Sequence, residues 1–144
     1  MKKQSYSNHR RYIPLFHFFM SGLIVCSTIL SVVNLIEALD KKENLFSEII
    51  LIAINIYLLI GFFVFRGFSL RAQDRAIRAE ENFRHFILTG KPLDVRLHMN
   101  QVVALRFAPD DEFIVLAKEA ADKQLTSDEI KKSIKRWKGD YHRV

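Results

Sequence analysis

The chain has one cysteine, three prolines and five glycines in 144 residues. Cys26 alone builds neither an intramolecular disulfide nor a cysteine zinc site, and it leaves the redox compartment unread. The histidines serve a metal no better. His9, His17, His85, His98 and His142 are scattered, and none pairs at the i, i+4 spacing of zinc hydrolases. Thr89-Gly90-Lys91-Pro92 lacks the glycine spacing and the trailing hydroxyl of a phosphate loop. Haem held between two apolar helices fails as well, because the second has no histidine and only His17 paired across a dimer would supply both ligands. No nucleophile with a base, acid pair or metal cluster is assembled, so the expectation is a protein that is not an enzyme and carries no cofactor.

What the sequence has is segregation. It is 49 % hydrophobic and 26 % charged with a net charge of +6, and the two properties occupy different stretches. From Leu15 to Ile36 only His17 and Asn34 are strongly polar, and as a helix the run reaches roughly 33 Å. Leu45 to Phe65, interrupted by Glu48 and Asn55, reaches roughly 31 Å. Each crosses a bilayer. The short charged turn 40–44 between them predicts an all-α transmembrane hairpin over 15–65, with a basic N-terminus 1–14 before it and a basic cytosolic helical domain 66–144 after it. Leu23-Ile24-Val25-Cys26 loosely resembles a lipoprotein cleavage site, but Val25 is bulky and the apolar run continues, so the first helix is expected to be retained.

Orientation follows from basic residues near the membrane ends. Lys2, Lys3, Arg10 and Arg11 precede the first span, two lysines lie in the turn, and Arg66, Arg71, Arg75 and Arg78 follow the second, which places both termini in the cytoplasm. Within the spans Ser27, Ser31 and Asn34 form a polar stripe, and Asn55 lies at matching depth for a hydrogen bond across the hairpin. This reads as helix-packing glue rather than a proton relay. Gly22 and Gly61 permit close approach of a further helix. Glu37 and Glu48 read as boundary residues near the turn. His9 and His17 fit an interfacial belt beside Tyr12 and Phe16.

In the cytosolic part, Leu70 to Leu88 predicts a helix whose apolar stripe is Ala72, Ala76, Ala79, Phe83 and Phe86, supported by Asp74/Arg78 and Glu80/Arg84 pairs. Gly90 and Pro92 end it. A short helix over 100–108 closes at Pro109, and Asp110 is expected to cap the next, with Asp111 and Glu112 in its first turn and Phe113, Leu116, Ala117, Ala120 and Ala121 buried. Thr126 and Glu129 form a capping box, stapled by Leu125 and Ile130. From Ser127 the pattern predicts a strongly basic amphipathic helix with Ile130, Ile134 and Trp137 inside and Lys131, Lys132, Lys135, Arg136 and Lys138 outside.

Four segments carry a family resemblance: Asn8 to Phe18, Leu70 to Arg78, Gln101 to Pro109, and Glu129 to Trp137. In this order, with two spans, the chain resembles an uncharacterised family of small bacterial membrane proteins over nearly its whole length. The resemblance implies a bacterial plasma membrane and carries over no catalytic residue. Members often have a bulkier, more acidic stretch where this chain has Ala79-Glu80-Glu81-Asn82.

The expected role is a non-catalytic accessory, regulatory or scaffolding subunit, partnered by another protein or by its own copies in the membrane. The alternative is a tethered domain whose Arg71, Arg75, Arg78 and terminal lysines hold anionic lipid headgroups. Nucleic acid is a weaker variant, since no base-reading motif accompanies the lysines. A merely solvated basic face accounts for the same charges.

Overall fold

The computed structural model describes residues 5–8 and 12–140, and all regular structure among them is helical. A π-helical stretch, Leu15–Met20, leads into α1 (Ser21–Lys41), followed by α2 (Leu45–Thr89), α3 (Met99–Leu105), α4 (Asp110–Lys123) and α5 (Ser127–Ser133). Two compact bodies result among the described residues, 12–69 and 70–140 with 5–8. The expectations placed on Lys2, Lys3, His9, Arg10, Arg11 and His142 lie outside the described residues.

In the first body, Pro14 stands just before the π-helical stretch, where a missing N–H costs nothing. The wider π turn brings the Ser21 hydroxyl to the Phe16 carbonyl at 3.3 Å. α1 stops where Lys42 turns left-handed at φ 55°, and Asn44, at φ 56°, makes the second left-handed step before α2. Leu15–Lys41 and α2 are both long and apolar enough to cross a membrane, and only 6 % of the most apolar window of each is buried. The core helix of a soluble fold shows the reverse, because its apolar surface is what the fold removes from water.

α2 runs unbroken for 45 residues, so the predicted second span and the predicted helix from Leu70 are one element. Gly90 ends it at φ +71°, its N–H donating to the Phe86 carbonyl at 2.8 Å.

In the second body α3, α4 and α5 enclose Phe107, Phe113, Leu97, Leu105, Ile130 and Val102, all below 2 % exposed. Each large side chain contributes about 1.5–3 kcal/mol by leaving water. The expected interior of α4 is met, with Phe113, Leu116, Ala117, Ala120 and Ala121 buried. Its cap differs from expectation. Pro109 occupies the N-cap and Asp110 is the first helical residue, because its carboxylate accepts from Arg84 Nε at 2.7 Å instead of from its own helix. α3 starts a residue early, with the Gln101 side chain accepting the His98 N–H at 2.7 Å.

The direction of the apolar stripe is a finding, and the pairing of Arg84 and the length of the basic helix are corrections. α2 turns Ile77, at 4 % exposed, and Glu81, at 5 %, toward the core, so Ala72, Ala76, Ala79, Phe83 and Phe86 project from the opposite side. Arg84 takes Glu81 and Asp110 rather than Glu80. α5 has the predicted capping box, the Thr126 N–H donating to Glu129 at 2.7 Å, but it ends at Ser133, and Ile134 is extended. The backbone N–H groups of Lys135 and Arg136 donate to the Glu112 carboxylate at 2.9 and 3.1 Å, and that of Lys138 to the Phe107 carbonyl at 2.8 Å. A continuing helix would have claimed those donors; Glu112 of α4 takes the first two, and Phe107, between α3 and α4, takes the third. The Trp137 ring sits 4.9 Å from that of Phe107, and the strap closes with Arg106 and Asp140, 2.9 Å apart and mostly buried.

Arg84→Met is expected to cost about 3 kcal/mol, because Glu81 then stays buried without its cation. Arg84→Lys keeps the charge, loses the planar fork and should fall between. Denaturant unfolding of the full chain, followed by the fluorescence of the lone Trp137, measures both. Glu81→Gln in the Arg84→Met background should recover much of the loss.

Candidate functional site

Two places concentrate polar or apolar groups that the local fold does not demand. The first is the seam between α1 and the apolar half of α2. Asn55, 7 % exposed, accepts from the Ser27 hydroxyl at 2.7 Å and donates to the Ser31 hydroxyl at 2.8 Å and the Leu51 carbonyl at 3.0 Å. The amide therefore uses its oxygen and both donor directions in an apolar surrounding. Asn34, predicted for the same stripe, is exposed and takes no part in this triad. Within the chain no other helix approaches Gly22 or Gly61: a Cβ on Gly22 meets nothing within 4 Å, and one on Gly61 meets only the Phe65 ring of its own helix. At the other end Phe16 stacks on Phe62 at 4.4 Å and lies under Arg66, while His17 is edge-on to Tyr12 and Phe16.

The second is the outer face of α2 beyond Leu70. Phe83 is 64 % exposed, Phe86 53 % and Ile87 66 %, continuous with exposed Ala72, Ala76 and Ala79. The charged side of the same helix is used inward. Arg84 donates to Glu81 at 3.0 Å, to Asp110 and to the Ala108 carbonyl at 2.8 Å, and lies over the Phe113 ring at 4.4 Å. Sequence reasoning missed Arg84 and Glu81 as the docking pair. Its signal is an acid inside what is otherwise a helix's buried side, three residues before an arginine.

The predicted basic surface is not a single patch. Arg78 donates to the Leu97 carbonyl at 2.9 Å, Lys132 pairs with Asp128 at 2.7 Å, and Arg136 pairs with Asp111 and Glu112. Arg71 and Lys131 engage neighbours as well. Arg75, Lys135 and Lys138 are exposed, the last two on the extended strap rather than a helix. An open cleft of about 880 Å³ lies between α2 and α4, with His85, Leu93, Ile114, Lys118 and Asp122 in its walls. Two of its acids, Asp94 and Asp122, are held by Arg96 at 2.7 and 2.9 Å. The Arg96 side chain and then its backbone N–H hold the Asp94 carboxyl down at about 2. No group of metal-binding side chains occurs among the described residues.

Tyr6 joins this body at α5. Its hydroxyl donates to Asp128 at 2.6 Å, and Lys132 lies 5.7 Å from its ring centre. Lys132, and then Tyr6, hold the Asp128 carboxyl below its ordinary value, while the acceptor in turn raises the Tyr6 phenol.

The chain belongs to the family of unknown function DUF6526, whose model matches residues 1–144. No curated protein and no solved structure matches it. The resemblance to an uncharacterised family is met at that level.

Asn55→Ala should destabilise the packing of α1 on α2 by about 1 kcal/mol, with Ser27→Ala costing less. Reversible unfolding in mixed detergent micelles reads both; no change for Asn55→Ala would remove the seam as a stabilising contact. The Asp128 value is depressed on folding, so its contribution is present above the ordinary carboxylate range near pH 4 and is lost as pH falls through the lower, folded value. The exchange protection of residues 5–8, taken relative to the intrinsic rate at each pH, should fall on acidification through that range, and Asp128→Asn should erase the step.

Proposed function

We propose that this is a non-catalytic integral protein of the bacterial cytoplasmic membrane, in which α1 and the first half of α2 cross as a hairpin and residues 70–140 form a cytosolic module. Both termini face the cytoplasm in this reading, as the distribution of lysine and arginine favours. The module acts through protein contacts, as an accessory or scaffolding subunit. The observation that carries this is the exposed face of α2 at Phe83, Phe86 and Ile87. A folded domain with its own core has no internal use for two phenylalanines in water, and aromatic residues are what protein interfaces concentrate.

The lipid-headgroup alternative draws on fewer charges than the sequence count suggests, since Arg78, Lys132 and Arg136 are spent on internal acceptors. A carboxy-terminally tagged chain, crosslinked in native membranes, extracted in mild detergent and analysed by mass spectrometry, tests the protein-contact reading. The expected result is a stoichiometric assembly, of this chain alone or with another protein. A lone monomer overturns it.

A further inference from the structure

The occupant of the α2 face is legible from spacing and charge. Ala72, Ala76, Ala79, Phe83 and Phe86 are separated by four, three, four and three residues, the a/d alternation of a coiled-coil seam. With Ala76 and Phe83 at a and Ala72, Ala79 and Phe86 at d, Arg75 falls at g and Glu80 at e of the following heptad. These are the two positions that meet across the seam of a parallel pair of helices. Opposite charges stand there, both side chains are exposed, and neither has an ion pair among the described residues. In the antiparallel arrangement Glu80 would face its own copy, a like-charge contact.

We infer that this face is filled by the same face of a second copy, giving a parallel two-stranded seam over residues 72–86 with Arg75 of each chain paired to Glu80 of the other. The inference rests on the reading that residues 70–140 work through protein contacts. It deepens that reading by naming the partner. The segment is continuous with the apolar half of α2, so two copies inserted the same way present it in parallel, and confinement to one bilayer raises the concentration of one copy around the other. The alanines let the two backbones approach closely, and the phenylalanines close the seam at its far end.

The test uses the full chain in membranes, in a Cys26→Ser background, with Ala72→Cys, Ala79→Cys or Phe86→Cys and a short bismaleimide. All three replaced side chains are exposed, and Trp137 fluorescence verifies the fold of each variant. Each of the three should give a covalent homodimer. Arg75→Glu or Glu80→Arg should lower the yield about fivefold by setting like charges in both symmetric contacts, and the double exchange should restore it. Crosslinking of Ala79→Cys alone would make the pairing antiparallel and overturn the inference. Cysteines captured only by a different protein would overturn the self-partner while leaving the protein-contact reading intact. Absence of any protein adduct would overturn both.

Discussion

Glu81 is a carboxylate with a side chain 7 % exposed, and the docking of α2 on the α3–α4 junction is arranged to make that tolerable. A buried acid needs its cation and further donors, and Arg84, one turn along α2, supplies the cation. Arg84 then binds the other way, to Asp110, the Ala108 carbonyl and the Phe113 ring, so the same guanidinium that neutralises α2 also clamps the α3–α4 junction to it. The clamp fixes the rotation of α2 about its own axis. With Glu81 and Ile77 inward, helical geometry places Ala79, Phe83 and Phe86 outward.

That rotation explains which parts of the structure were legible in the sequence. Features whose partners lie within one turn were readable, namely the Thr126–Glu129 box and the Gly90 stop, as were the apolar runs; the Ser27, Ser31 and Asn55 contact, 24 to 28 residues apart in sequence, was readable from matching depth in two spans joined by a short turn. The period of Ala72 to Phe86 located an apolar face correctly but could not say what it faced, since amphipathic spacing is the same whether the contact is the chain's own core or another molecule. The basic helix shortened for a related reason. Its continuation past Ser133 was a reasonable local expectation, and it lost to Glu112, 23 residues away, which offered the backbone of Lys135 and Arg136 a charged acceptor. Asp110 was diverted from capping by Arg84 in the same way. A long-range charged partner overrode local propensity in each case, an acceptor for the strap and a donor for Asp110.

The cations divide by chemistry as well as by place. Arg78, Arg84, Arg96, Arg106 and Arg136 all reach acceptors within the second body, where a rigid multi-donor fork holds carbonyls and carboxylates together. Lysines sit mainly at its surface. The count of 22 lysines and arginines therefore overstates the cations on offer to an anionic partner, because several arginines act as internal fasteners. Counting charges along a sequence treats both classes alike.

Two mismatches between residue and surroundings remain on α2, and they have different outcomes. Asn55 is a polar amide in an apolar stretch, and α1 resolves it with two hydroxyls, leaving its hydrogen-bonding capacity filled inside one chain. Phe83 and Phe86 are the inverse, apolar groups on a charged helix, and no element of the chain's described part covers them. Water penalises exposed rings continuously, by an amount set by area rather than by any single contact, so the relief must come from a surface of comparable extent. Earlier on the same face Arg75 and Glu80 carry opposite charges at positions five apart, which a flat apolar surface would have no use for and a matching helix would.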